Sequence, residues 1–162
     1  MNRSRILLAA LALACGSAFA GTVEVRYIDP DNFSDLATNR WQERDTMEAL
    51  TRYMQQLGQQ LPADQVLRVD VLDVDLAGTW RETPRGRIRV ARNRADPPKI
   101  HVRWTLEAGG RVLRSGDDRL TDLDYTHHLT TYRSSTPYYH EKRVLNDWFR
   151  RNFAPEMQAY VR

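Results

Sequence analysis

The side chains best suited to chemistry in this sequence are acids and histidines in its last third. Imidazole nitrogens and carboxylate oxygens are common protein ligands of divalent metals, so this group predicts a metal site that could activate water for hydrolysis. Its spacing matches no recurring motif such as His-Glu-x-x-His, and adjacent histidines point apart on an extended chain. A metal-assisted hydrolase is therefore an alternative and not the favoured function. The candidate ligands are Asp122, Asp124, His127, His128 and His140.

A second group is a run of arginines between residues 81 and 94, in which Glu82 is the one acidic residue. Guanidinium groups form paired hydrogen bonds to phosphate and carboxylate oxygens, and a neighbouring indole adds a surface for stacking. The run predicts a surface for an anionic partner, whereas the alternative is a solvated hairpin without a ligand. The residues of this predicted surface are Trp80, Arg81, Arg85, Arg87, Arg89, Arg92 and Arg94.

Asp73 and Asp75 are the acidic pair best placed for chemistry, in a segment that is typical of a β-strand. Two residues apart on a strand, their side chains share one face about 6.5–7 Å apart and could converge on a cation. We favour cross-strand ion pairs with Arg87 and Arg89 instead, because a hairpin through residues 78–86 would bring the two strands together.

Signatures of other catalytic classes are missing from the sequence. It contains no Gly-x-Ser-x-Gly turn, no glycine-rich phosphate loop and no dinucleotide-binding fingerprint. We therefore predict a protein that is not an enzyme, needs no cofactor and acts by binding or assembly.

The first twenty residues are typical of a removable secretory signal. Arg3 and Arg5 precede the apolar run Ile6–Ala14, and the small-residue pattern Ala18-Phe19-Ala20 ends the segment. The run is about half the roughly 20 residues that a membrane-spanning helix needs, and no later segment is apolar enough to span. We predict a periplasmic or secreted protein that begins at Gly21. The alternative is a lipoprotein anchored through Cys15.

The charge of the mature chain argues against nucleic acid as a partner. The signal contains two of the 24 basic residues and none of the 21 acidic ones, so 22 basic residues remain against 21 acidic ones. Such a balance lacks the basic excess of a nucleic-acid-binding domain. In the envelope, phosphorylated lipids and acidic polymers are the natural anionic partners. Residues 21–162 have the length of one domain with its own core.

The elements that must position these groups begin with a strand and a helix. Thr22–Ile28 alternates as a half-buried strand does. A helix is predicted over Arg40–Gln60, where apolar residues recur every three or four positions and Thr38 or Asn39 can serve as N-cap. The apolar residues of this helix face are Met47, Leu50, Met54, Leu57 and Leu61.

The apolar pattern changes phase within the next strand, Val66–Ala77. Its apolar residues are odd-numbered as far as Val71 and even-numbered from Leu72, so a regular strand cannot bury both sets. We predict a β-bulge at Val71-Leu72, with Val69 and Val74 both buried.

The remaining pattern consists of short strands and a second helix. Gly109-Gly110 predicts a tight turn that places Leu106 opposite Leu113. A helix is predicted to open at Thr136-Pro137, with Leu145, Trp148, Phe149 and Phe153 on one face. The element order predicts an α+β fold, a mostly antiparallel sheet with two helices packed on one face.

Several segments together resemble a known family. They are Asp29–Asp35, Asp73–Gly78, Leu120–Tyr125, and Glu141–Arg143 with Asp147–Phe149. In order and spacing they resemble the DUF3016 type, exported proteins of Gram-negative bacteria catalogued as a domain of unknown function. The block Asp-Val-Asp-Leu-Ala-Gly at residues 73–78 is the most specific part. The resemblance implies an exported single domain and supplies no activity or site.

Overall fold

The computed structural model describes residues 20–37, 39–84, 86–90, 95–126 and 136–153. Residues 1–19, which hold most of the predicted signal together with Cys15, lie outside these ranges. The predicted mature start, Gly21, lies inside them, where its backbone N–H donates to the carbonyl of Leu61 at 3.0 Å.

The described residues form six strands and two α-helices. In chain order they are β1 (Thr22–Tyr27), α1 (Arg40–Gly58), β2 (Gln65–Asp75), β3 (Thr79–Thr83), β4 (Gly86–Val90), β5 (Lys99–Ala108), β6 (Arg111–Thr121) and α2 (Tyr139–Phe153). Four strands form one sheet in the order β1-β2-β5-β6, in which β1 is parallel to β2 and the other pairs are antiparallel. Strands β3 and β4 form a separate two-stranded hairpin.

Both helices pack on the same face of the four-stranded sheet, which confirms the predicted α+β fold. Helix α1 begins at the predicted N-cap, because the Asn39 side chain accepts from the backbone N–H groups of Trp41 and Gln42. Helix α2 begins two residues after the predicted opening, since Tyr138 has a left-handed backbone with φ of 55°. Its predicted apolar face is buried throughout: Leu145, Trp148, Phe149 and Phe153.

The predicted bulge in β2 is confirmed. Val69 and Val74 are 1% and 0% exposed, and the register with β5 shifts between Val71 and Asp73. One extra residue in β2 thus turns the second apolar set back toward the core.

The predicted pairing of the Asp73 strand with the arginine-rich strand is wrong. Strand β2 pairs with β5, because β5 offers an alternating apolar face and the arginine-rich strand does not. Asp73 therefore accepts from the backbone N–H and hydroxyl of Ser34, both at 2.7 Å. Asp75 forms an ion pair with Lys99. Neither acid pairs with Arg87 or Arg89.

The predicted glycine turn forms, but its register differs from the prediction. Gly109 and Gly110 have φ of 55° and 77°, the positive values that a tight hairpin turn needs. Leu106 lies opposite Arg114 and not opposite Leu113, because the register shifts between Leu106 and Glu107. Leu113 is consequently half exposed.

An aromatic cluster joins α2 to strand β5 of the sheet. The rings of Trp104, Trp148 and Phe153 meet edge to face, with centroids 4.9–6.5 Å apart. Gly116 lies directly against the Trp104 ring, where an added Cβ would approach to 2.7 Å. Asp118 accepts both indole N–H groups on its Oδ2 atom. A carboxylate thus satisfies two polar groups that the cluster would otherwise bury without a partner.

No helix in the described part of the chain combines the length and apolar character that crossing a membrane requires.

Candidate functional site

A cavity of about 460 Å³ opens where the β3-β4 hairpin meets the N-terminal ends of both helices. Leu76 and Ala77, the two residues that follow β2, form its floor. We name it the Arg89 pocket after the guanidinium that organises it. Its volume lies within the roughly 300–1,000 Å³ of pockets that bind small molecules.

Arg89 fixes the floor of the pocket to the hairpin. Its Nη1 atom donates to the carbonyl oxygens of Leu76 at 3.0 Å and Gly78 at 2.9 Å. Its Nη2 atom donates to Oδ1 of Asp35 at 2.8 Å. The guanidinium also lies over the Trp80 ring, 4.7 Å from its centroid. Most of the guanidinium is therefore committed to groups of the protein itself.

Glu141 fixes the same floor to helix α2. It is 4% exposed, and its Oε1 atom accepts the backbone N–H of Ala77 at 2.8 Å. Burial raises the pKa of this carboxyl, while the N–H groups of Ala77 and of Glu141 itself and the charge of Arg89 act to lower it. Because Glu141 stands in the first turn of α2, the free N–H groups of the helix terminus favour an acidic residue there.

The opposite wall carries a short chain of hydroxyl and carboxylate groups. The Tyr138 hydroxyl donates to Oδ2 of Asp45 at 3.0 Å and lies 3.0 Å from the Thr46 hydroxyl. Burial, as the largest cause, raises the pKa of Tyr138, so this hydroxyl keeps its proton at neutral pH. These two hydrogen bonds of Tyr138 join the first turns of α1 to the start of α2.

Two tryptophans differ sharply in exposure around this pocket. Trp41, in the first turn of α1, is 69% exposed and is the most exposed large apolar side chain of the described residues. Trp80 is half-buried beneath Arg87 and Arg89, and its indole N–H is buried without an acceptor among the described residues.

The arginine-rich surface predicted from the sequence is divided by the structure. Trp80 and Arg89 line the pocket. Arg87 pairs with Glu82 at 2.9 Å, whereas Arg81 makes no ion pair with any described residue. The other three members, Arg85, Arg92 and Arg94, lie outside the described residues.

The predicted metal ligands are only partly described, since His127 and His128 lie outside the described residues. Asp122 accepts from the Arg143 guanidinium at 3.3 Å and from the backbone N–H of Asp124, so it closes a turn. His140 stacks edge to face on Tyr125 and lines the Arg89 pocket. Within the described ranges, no three His, Cys, Asp or Glu side chains come together as a metal site would require. The metal site stays a prediction.

The sequence interpretation missed Asp35, Tyr138 and Glu141. Asp35 and Glu141 belong to segments that carry the family resemblance, and so do Leu76, Ala77 and Gly78. Two of those segments, far apart in the chain, meet at Arg89, and the third joins them through the hydrogen bond of Glu141 to Ala77. The presence of these segments in one sequence was the signal that could have indicated the site, but the sequence alone does not show that they are in contact.

Comparison with known proteins identifies a family and nothing closer. The family model described as "Protein of unknown function (DUF3016)" matches residues 21–151. No curated protein and no solved structure matches the chain.

Proposed function

We propose a binding function for this chain, which belongs to the DUF3016 family. It is an exported, non-catalytic protein of the cell envelope, and the Arg89 pocket is its binding site. The observation that carries this proposal is the rigid, open pocket itself. Arg89 and Glu141 hold backbone groups of the pocket floor, which suits a preformed binding site more than a site whose acids and bases must meet a reacting group.

Export is part of the proposal and is supported by the residue at which the family match begins. The matched region starts at residue 21, and the sequence predicts cleavage after Ala20. Mass spectrometry of the protein from its native host is expected to show a chain that starts at Gly21. A diacylated chain that starts at Cys15 would replace the soluble periplasmic protein with an anchored lipoprotein.

Replacing Trp41 with alanine tests the pocket as the binding site. The purified mature protein is expected to sediment with an isolated Gram-negative envelope fraction, and W41A is expected to reduce the bound share at least about tenfold, as central interface aromatics often do. L123A is the matched control, because Leu123 is 63% exposed and lies outside the pocket. It is expected to bind like the wild type.

Both variants alter exposed side chains, so the free energy of unfolding of each, measured by thermal unfolding, should lie within about 0.5 kcal/mol of the wild-type value. W41A that sediments as well as the wild type would remove the pocket as the binding site. A wild-type protein that does not sediment at all would contradict the envelope-binding function.

The outer face of the β3-β4 hairpin supports a second, anionic contact. Arg81 and Ile88 are direct cross-strand partners on this face, and Ile88 is half exposed. A free guanidinium beside an exposed apolar side chain suits the headgroup region of an anionic membrane. This contact retains the predicted surface for an anionic partner. Arg81 contributes to it, whereas the guanidinium of Arg89 is hydrogen-bonded within the protein.

Removing Arg81 together with the three arginines of this run that lie outside the described residues is expected to abolish binding to anionic vesicles. The wild type should sediment with phosphatidylglycerol vesicles at low salt and should not sediment with phosphatidylcholine vesicles. High salt should weaken the binding, because exposed charges are screened over about 8–10 Å already at physiological ionic strength. A variant with alanine at Arg81, Arg85, Arg92 and Arg94 is compared with one that loses the same charge outside the hairpin, at Arg44, Arg52, Arg119 and Arg150. Equal loss in both variants would mean that net charge, and not the hairpin, controls the binding.

A further inference from the structure

We propose that the Arg89 pocket binds a neutral, hydroxyl-rich sugar ring, stacked on the Trp41 indole. This inference rests on the proposed function, in which the pocket is the binding site. A free oligosaccharide and a glycan chain of the envelope present the same sugar ring. The lining of the pocket therefore indicates only the ring, and the experiment below distinguishes the two sources.

The pocket is poorly suited to an anion. Arg89 is its one guanidinium among the described lining residues, and three hydrogen bonds to Asp35, Leu76 and Gly78 occupy it. An incoming phosphate would have to share the guanidinium with the carboxylate of Asp35. It would also meet the exposed carboxylate of Asp45 in the opposite wall. Because like charges repel, the carboxylate of Asp45 disfavours a negatively charged ligand in the pocket.

The pocket is also poorly suited to a cation. The Trp80 ring, which could have received one, already carries the guanidinium groups of Arg89 and Arg87 at 4.7 and 5.6 Å. The buried carboxyl of Glu141 accepts the Ala77 N–H. A second cation would therefore meet an existing positive charge, and Asp45, the other acid of the described lining, already accepts from Tyr138.

A neutral sugar fits the groups that remain. The exposed Trp41 indole offers a flat apolar face with negative π-density, which packs against the weakly positive C–H groups on one face of a pyranose ring. Sugar hydroxyls both donate and accept, as does the half-buried hydroxyl of Tyr138, while the exposed carboxylate of Asp45 accepts. Asp45 stands in the same wall about one turn after Trp41 on α1, and Tyr138 lines the pocket from the residue before α2.

The experiment titrates the mature protein with chemically distinct probes and follows the indole N–H resonance of Trp41 by NMR. The neutral sugars are maltotriose, cellotriose and chitotriose; tetramethylammonium chloride and sodium phosphate represent a cation and an anion. We expect at least one trisaccharide to shift the Trp41 resonance saturably at concentrations up to about 10 mM, and W41A to weaken its binding about tenfold or more, measured by calorimetry. L123A should bind it unchanged.

Isolated peptidoglycan sacculi provide the polymeric arm. Sedimentation with sacculi that is inhibited by the active trisaccharide assigns the ring to a cell-wall glycan, whereas binding of the trisaccharide alone assigns it to a free sugar. The inference is overturned if no trisaccharide binds, or if phosphate or tetramethylammonium shifts Trp41 as strongly as the best sugar. Envelope sedimentation that W41A abolishes, without any sugar binding, would overturn the sugar and leave the pocket as the binding site.

Discussion

Replacing Asp118 with alanine is expected to lower the free energy of unfolding by about 2–4 kcal/mol, because each buried donor left without an acceptor costs about 1–3 kcal/mol. Its Oδ2 atom accepts the indole N–H of Trp104 at 2.7 Å and that of Trp148 at 2.9 Å. Both tryptophans are less than 5% exposed, so water cannot replace the lost acceptor while the core stays closed. Such a loss is a large part of the roughly 5–15 kcal/mol that stabilises a typical domain.

The neighbouring residue provides a matched control for this prediction. Asp117 lies next to Asp118 on β6, is half exposed and pairs with His101 and Arg103 on the open face of the sheet. D117A removes the same charge and should change stability much less, since surface ion pairs contribute little. D118N keeps an oxygen acceptor and should fall between the two.

Urea unfolding of the wild type, D117A, D118A and D118N at neutral pH measures these differences. The indole resonances of Trp104 and Trp148 should shift in D118A and stay in place in D117A. If D118A were no less stable than D117A, the two indole hydrogen bonds would not contribute to the stability of the aromatic cluster.

Glu141 is expected to make the stability of the protein depend on pH in the direction opposite to that of Asp117, an acid whose pKa is lowered by the hydrogen bond to His101. Burial raises the pKa of this carboxyl above its ordinary value of 4.5. Below that value Glu141 is protonated in both the folded and the unfolded chain, and its contribution is fully present. As the pH rises through the folded-state pKa, the unfolded chain gains the charge more readily, and this contribution is lost.

Substitution of Glu141 by glutamine should therefore remove a penalty that grows with pH. The difference in unfolding free energy, E141Q minus wild type, is expected to rise from just above pH 4.5 and to level off above the folded-state pKa. The glutamine oxygen can still accept the Ala77 N–H. E48Q serves as the control for the change from carboxylate to amide, because Glu48 is exposed on α1 beside Arg52.

E141A separates the charge of Glu141 from its hydrogen bond. It leaves the N–H of the buried residue Ala77 without its acceptor, so it should be destabilised by about 1–3 kcal/mol even at low pH, where the charge plays no part. Chemical denaturation of the four proteins across a pH series gives all of these differences. A pH-independent difference between E141Q and the wild type would show that the buried carboxyl titrates as an ordinary one.

Local patterns in the sequence were sufficient for several features. The three-to-four spacing of apolar residues and the Asn39 cap place α1, because a helix is stabilised by one apolar stripe and by a cap at its own end. The change from odd to even apolar positions places the bulge, because a strand has only two faces. Pairs of glycine place the turn after β5 for an equally local reason.

The residues of the site were found only in part. Trp80, Arg89 and His140 stood out by type and are in the pocket wall, although the sequence assigned them to two unrelated functions. Asp35 and Glu141 did not stand out, because single acids on a loop and in a first helical turn are common. Nothing in their own neighbourhoods shows that they meet the same guanidinium or the same strand end.

What the sequence determined by itself is therefore whatever depends on neighbours within a few positions: the helix, the bulge, the turn and the α+β element order. The tertiary structure alone decided which strand pairs with β2, and with it the place of the arginine-rich hairpin. The two candidate strands differ in the apolar surface that they can bury beside β2. Strand β5 pairs with β2 because this pairing buries Ile100, Val102 and Trp104 against the helices. The excluded hairpin folds on itself, and Arg89 then reaches across to Asp35 and to the floor of the pocket.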